Sequence, residues 1–257
     1  MIMENKQQVK TFQPNLFQKV FARIWAVWAL LLFIATMLVA ILFYAACFFL
    51  DDPAKAYWHR AVSRAWMTVY LFAIGCPLRI KGRENYLMEE NYVVVCNHSS
   101  LMDVPVSTPF MPRANKTIAK KSFAKIPVFG WIYTFGSVLV DRKSDASRRK
   151  SYEEMKNMLA LGLDMVIYPE GTRNRTGQPL KSFYDGAFRL SLDTGKKIMP
   201  VMLFHTGRVL PPQHFFFLLP HHLEMHFLPP VSPQGMQADQ LKEKIFQQMW
   251  DYYLSHQ

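Results

Sequence analysis

The chain begins with a contrast in how its apolar residues are spaced. From Ile24 to Leu50 the sequence IWAVWALLLFIATMLVAILFYAACFFL holds no charged residue. The roughly 20 apolar residues needed for a helix to cross a bilayer are exceeded, and the run is too long for the apolar region of a cleaved leader. A second apolar stretch, WMTVYLFAIGC at 66–76, is too short to span comfortably. Two readings of it stay open: the returning arm of a hairpin embedded from one face, or a core helix over residues 61–76 that packs on the rest of the chain.

After Pro77 continuous apolarity gives way to short alternating segments. The pattern predicts strands at 78–85 (closed by a turn), 92–96, 117–121, 137–141, 165–168, 198–204 and 222–228. Helical periodicity runs over 147–163, with Tyr152, Met155, Met158, Leu159 and Gly162 on one stripe, and over 186–194, where Gly195 suits the C′ position. A terminal amphipathic helix is expected over 239–254. Between residues 103 and 110 a helix can start, although Pro105 and Pro109 limit it. Residues 126–131, IPVFGW, read as an apolar segment bearing a turn. Strands separated by helices imply an α/β sheet with helices packed on it.

The 257 residues suffice for one sizeable core plus an appendage. The expected organisation is a basic N-terminal segment over 1–23, a membrane-anchoring helical hairpin over 24–76 and one domain over 77–257. Net charge is +11, with clusters at Lys116, Lys120, Lys121 and Lys125 and at Arg142, Lys143, Arg148, Arg149 and Lys150. Such a surface seeks phosphate, and the apolar N-terminus favours anionic membrane lipid over nucleic acid, for which no reading motif is present. Lys6, Lys10, Lys19 and Arg23 before the long apolar run favour a cytoplasmic N-terminus; Lys55, Arg60 and Arg64 after it nearly balance the count. The three cysteines, Cys47, Cys76 and Cys96, are scattered and suggest a reducing compartment without a disulfide framework.

Chemistry collects where strands are predicted to end, as expected for open α/β sheets. After the strand ending at Cys96 stands NHSSLMD, residues 97–103. A loop histidine can take a proton from an alcohol if a carboxylate holds its tautomer and compensates the imidazolium. Five positions along a regular helix would turn Asp103 away from His98, so the pair works only with His98 in the loop and Asp103 in the first helical turn. The SxxD pattern from Ser100 to Asp103 also reads as a variant capping box. Serine nucleophilicity at Ser99 or Ser100 lacks a GxSxG elbow. His98 has no HExxH spacing, and His214, His221, His222 and His226 form no recognised set, so no metal is expected. Arg142 and Arg173 present forked donors suited to phosphate, Lys120 a compact charge, and Gly171 permits a tight turn beside Glu170. Glu170 could brace the arginines or bind an acceptor hydroxyl.

Taken in order, these clusters resemble the glycerophospholipid acyltransferase family, which includes the bacterial 1-acyl-glycerol-3-phosphate acyltransferases. NHxxxxD stands as Asn97 to Asp103, GxxxxxR as Gly136 to Arg142, EGTR as Glu170 to Arg173, and an apolar strand around proline as IMPVM at 198–202. AKKSFAKIPVFGW at 119–131 also looks like the family. Members often carry a lysine before the glycine of FxxGA; here the segment is FYDGA at 183–187, with Lys181 earlier.

The resemblance implies a glycerolipid acyltransferase-like α/β fold, a mixed sheet flanked by helices. It implies His98 as general base, oriented by Asp103, with Lys120, Arg142, Glu170, Gly171, Thr172 and Arg173 binding substrate. The expected reaction passes an acyl group from acyl-ACP or acyl-CoA to the sn-2 hydroxyl of 1-acyl-glycerol-3-phosphate, without an acyl-enzyme and without a cofactor, on the cytoplasmic face of the membrane. The expected partners are the lysophospholipid acceptor, the thioester of acyl carrier protein or coenzyme A, and anionic membrane lipid. Two alternatives remain: acylation of another lysolipid such as a lyso-aminolipid, and a non-catalytic scaffold binding anionic lipid.

Overall fold

A computed structural model describes residues 14–256. Helix α1 (Leu16–Tyr44) begins earlier than the uncharged run because Asn15 and Gln18 form a reciprocal capping box, each side chain bonding the other's backbone N–H. Lys19 and Arg23 therefore lie on this helix, while Lys6 and Lys10 of the expected basic segment lie outside the described residues. With its 3-10 continuation to Phe48, α1 is long and apolar enough to cross a membrane by length and composition. Many of its large side chains face outward, including Leu31, Val39 and Leu42.

Helix α2 (Ala54–Ala73) folds back against α1 and is longer than the apolar stretch alone suggested. Its charged first half reaches the sheet domain: Arg60 donates to Met111 O at 2.7 Å. Its apolar face does the same, since Met67, Tyr70 and Leu71 share one core with Ala26 and Ala29 of α1 and with sheet residues such as Val94, Val201 and Met225. The Trp25 indole donates to Ile74 O at 3.0 Å, closing the hairpin's far end.

The described residues form a seven-stranded sheet: β1 (Leu78–Lys81), β2 (Val93–Cys96), β3 (Asn115–Lys120), β4 (Ser137–Val140), β5 (Asp164–Ile167), β6 (Ile198–Phe204) and β7 (Leu223–Phe227), in the order β1-β7-β6-β2-β5-β3-β4. β6, β2, β5, β3 and β4 run parallel; β7 pairs antiparallel with β6 and parallel with β1, so the sheet is mixed. The connecting helices are α3 (Asp103–Ser107), α4 (Phe129–Phe135), α5 (Asp145–Ala160), α6 (Gly186–Thr194), α7 (Thr206–Val209) and α8 (Ala238–Ser255). The turn expected within 126–131 lies at Pro127 and Val128 and leads straight into α4: Val128, at φ 63°, turns the chain and Phe129 starts the helix.

The central strands β2, β5 and β6 are buried throughout. Strand pleating divides their side chains between two layers. Val94, Cys96, Val166, Met199, Val201 and Leu203 join the core beneath the α1–α2 hairpin, whereas Val93, Val95, Met165, Ile167, Met202 and Phe204 join the one beneath α5, α6 and α8.

Two adjacent strands send their chains to opposite faces. After β2 the chain enters α3, whose Val106 packs in the first core; after β5 it reaches α6, whose Phe188 packs in the second. In α/β sheets the usual ligand position lies where connections diverge in this way, at the strands' carboxyl ends.

Candidate active site

His98 lies in the loop between β2 and α3, and Asp103 is the first residue of α3. The Nδ1 of His98 is 2.7 Å from Asp103 Oδ2. The same oxygen accepts the backbone N–H of Ser99 at 2.7 Å and of Ser100 at 2.8 Å. Three convergent donors hold the carboxylate, which is fully buried, while the imidazole remains 18% exposed. With Nδ1–H donating to a carboxylate, the lone pair belongs to Nε2, and no hydrogen bond among the described residues occupies that atom. The ring is also backed by Tyr168, centroids 4.6 Å apart, whose hydroxyl is 2.6 Å from Ser107 Oγ.

The SxxD pattern and the pair share the Asp103 carboxylate, although no capping box forms at α3. Ser100 N–H donates to Asp103 Oδ2, one half of a capping box, but the other half is missing: Ser100 Oγ accepts Met102 N–H at 3.1 Å, and the N-cap of α3 is Met102, without a side-chain cap bond. Neither neighbouring serine serves as a nucleophile aimed by His98: Ser99 Oγ pairs with Thr206 Oγ1 at 3.0 Å, and Ser100 Oγ donates to Leu210 O at 2.7 Å. Cys96 is fully buried, and burial pushes its thiol up, away from thiolate chemistry.

Asn97, the first letter of the motif, acts on the sheet. Its amide donates to Leu203 O at 3.0 Å and accepts Leu203 N–H at 2.7 Å, imitating a strand residue and tying the His98 loop to β6. Glu170, placed after β5, fastens the other side. Oε1 accepts His98 N–H at 2.7 Å and Oε2 accepts Lys181 N–H at 3.0 Å, and the side chain is fully buried. Asn174 N–H returns to His98 O at 2.7 Å. Glu170 thus positions two loops, the one that carries His98 and the one that carries the cation Lys181. Burial pushes its carboxyl up to about 7, against the two backbone N–H bonds that stabilise the ionised form.

The cations assemble around the loop after β5. Arg142, beyond the end of β4, donates from Nη1 to Gly171 O. Gly171 sits at φ 69°, the left-handed region that glycine enters without penalty. Lys181 Nζ donates to Thr172 Oγ1 at 2.9 Å, bringing in a cation the motif reading left outside the site; its signal was its place just before FYDGA. The half-buried Arg173 guanidinium makes no hydrogen bond or ion pair among the described residues. Lys120 is exposed at the end of β3, at the same sheet edge, without a side-chain hydrogen bond to this cluster among the described residues. The edge therefore presents one proton acceptor beside several cations, suited to an anionic substrate bearing a hydroxyl.

Comparison with known proteins identifies the family and the fold. A family model described as Acyltransferase matches residues 77–203, the span from just before β1 almost to the end of β6. A 1-acyl-sn-glycerol-3-phosphate acyltransferase of Chlamydomonas reinhardtii is 30% identical over 236 residues, 89% of this chain and 68% of that protein. The bacterial enzyme of the same name from Borreliella burgdorferi is 29% identical over 150 residues, 56% of this chain and 58% of its own. A chloroplastic one from Arabidopsis thaliana is 28% identical over 180 residues, 69% of this chain and 50% of its own, so the chain spans about half the length of that relative. Among solved structures, the 1-acyl-sn-glycerophosphate acyltransferase PlsC from Thermotoga maritima superposes with a TM-score of 0.73 at 21% identity, covering 93% of this chain and 96% of that one; this likeness is one of fold. The matched span carries both loops that meet at His98, and on these grounds the chain belongs to the acyltransferase family.

Proposed function

We propose that this chain transfers a fatty acyl group from the thioester of acyl carrier protein or coenzyme A to the free sn-2 hydroxyl of 1-acyl-glycerol-3-phosphate, forming phosphatidic acid. The observation that carries the reading is the His98 Nδ1 to Asp103 Oδ2 contact of 2.7 Å, which leaves Nε2 of the partly exposed ring as a proton acceptor in the loop after β2. Nε2 takes the hydroxyl proton as the oxygen attacks the thioester carbonyl. The carbon–sulfur bond then breaks, and the imidazolium returns the proton to the departing thiolate. Asp103 compensates the imidazolium charge during that interval.

Arg173, Arg142 and Lys120, joined by Lys181, hold the acceptor phosphate. Glu170, Gly171 and Thr172 keep those cations and His98 at a fixed separation, which makes the encounter resemble an intramolecular step. Helix α1 inserts into the bilayer, so that an acceptor with a lipid tail reaches the sheet edge from the membrane, at its cytoplasmic face. The exposed Arg148, Arg149 and Lys150 meet anionic headgroups. The names of the relatives support the choice of acceptor.

The test supplies membranes containing the protein with labelled acyl donor, as either thioester, and a panel of lysolipids with and without phosphate. Label in phosphatidic acid, dependent on the protein, is the expected result. Equal labelling of a phosphate-free lyso-aminolipid would reject phosphate recognition. Salt-sensitive vesicle binding with no thioester consumed would favour a scaffold.

A further inference from the structure

Three imidazoles that are scattered in sequence converge at one corner of the sheet. His205 follows β6, and His221 and His222 precede β7. The antiparallel register, with Phe204 opposite Glu224, brings the ends of this connection together. One ring nitrogen from each histidine lies within 4.8 Å of the others, the sole such grouping among the described residues. Ring centroids are 4.8 Å apart for His205 with either partner and 4.2 Å for His221 with His222.

Two further features match a ligand set. His205 holds φ 66°, in the left-handed region where a residue with a Cβ persists only if its surroundings over-determine it. The Nδ1 of His221 is 2.8 Å from His222 O. A ring N–H donated to a backbone carbonyl fixes the tautomer and turns the other nitrogen's lone pair outward, as in metal-binding histidines generally. All three rings are half-buried, so they are neither freely hydrated nor sealed from an entering ion.

We propose that His205, His221 and His222 form a binding site for a divalent transition-metal ion of the zinc class. Imidazole nitrogen selects such ions, whereas calcium and magnesium require oxygen donors. A tetrahedral zinc with bonds of about 2.0 to 2.1 Å places its nitrogens about 3.4 Å apart, so the rings close inward when the ion enters. Three protein ligands leave the fourth position to water. Arg208 opposes the cation, and Glu224, with Oε1 3.7 Å from His222 Nε2, offsets it.

The site stands apart from the acyl-transfer machinery but touches it. Thr206, next after His205, bonds Ser99 in the His98 loop. An ion gripping His205 therefore stiffens the corner on which that loop leans. The inference does not depend on the proposed acyl acceptor.

The experiment uses the full chain, purified without a histidine tag and stripped by a chelator. Equilibrium dialysis against zinc and titration with cobalt, read by its visible ligand-field absorption, should each give one equivalent per chain. His222→Ala should weaken binding by about 10- to 100-fold or more. His205→Gly should do the same while relieving the positive φ, so that loss of the ligand is separated from loss of the fold; circular dichroism checks the latter. His98→Ala should bind as the unmodified chain does. No stoichiometric binding, or unchanged binding in folded His205→Gly and His222→Ala proteins, overturns the proposal.

Discussion

Asp103 Oδ2 receives His98 Nδ1 at 2.7 Å and, with it, the backbone N–H groups of Ser99 and Ser100. The carboxylate is therefore held by the loop that carries the histidine, and the start of α3 is part of the geometry of the proposed proton-transfer pair. The coupling makes the pair rigid before substrate arrives, which a base acting in a transition state requires.

Removing either member tests the pair directly. His98→Ala and Asp103→Asn should retain their helix and strand content while kcat for acyl transfer falls by about 10²- to 10⁴-fold. Labelled-donor turnover and circular dichroism check this. Full turnover in both variants would end the assignment of His98 as base.

Glu170 predicts a pH dependence of stability. Its carboxyl is pushed up to about 7 in the folded chain, from the ordinary 4.5. Between those values the folded state binds the extra proton, so stability falls as pH rises and the loss is complete above about 7. The difference corresponds to roughly 3 kcal/mol. Glu170→Gln cannot ionise, so the stability of the unmodified chain relative to it should decline by that order between pH 4.5 and 8 in denaturant titrations. A pH-independent difference would contradict the buried, raised carboxyl.

Arg142 and Arg173 should separate kinetically. Arg173 has no competing partner among the described residues, so Arg173→Ala should mainly raise the acceptor KM. Arg142 also supports Gly171 O, so Arg142→Ala should raise KM and lower kcat together. Steady-state kinetics with lysophosphatidate measure both; an unchanged kcat/KM in Arg173→Ala would return that residue to the solvated surface.

Gly171→Ala should destabilise the chain by about 1 to 2 kcal/mol through its positive φ. A Cβ there would also stand 2.7 Å from a ring carbon of Tyr184, but that ring is exposed and can swing away. Adding Tyr184→Ala should therefore leave the loss in place. A full recovery in the double variant would show that crowding, and not backbone conformation, was the cause.

Much of this was legible locally. The helix at 186–194 with Gly195 in the left-handed region, and the strand at 198–204, stand where periodicity and turn chemistry predict them. The spacing of His98 and Asp103 was sufficient because both ends belong to one short turn. The turn expected within 126–131 lies at Pro127 and Val128, but nothing local showed that α4 follows it at once: the positive φ of Val128 and the packing of Phe129 against Phe33 and Tyr133 set the helix start.

Sequence by itself determined what depends on neighbours along the chain: the apolar helix, the alternation that makes a sheet and the spacing that lets Asp103 reach His98. Tertiary structure decided what depends on register between distant strands. It committed both oxygens of Glu170 to backbone donors, set Asn97 against Leu203, drew Lys181 to Thr172 and gathered His205, His221 and His222 at one corner. A side chain's partners across a sheet follow from which strands lie side by side and which faces their connections take, and no local pattern encodes that arrangement.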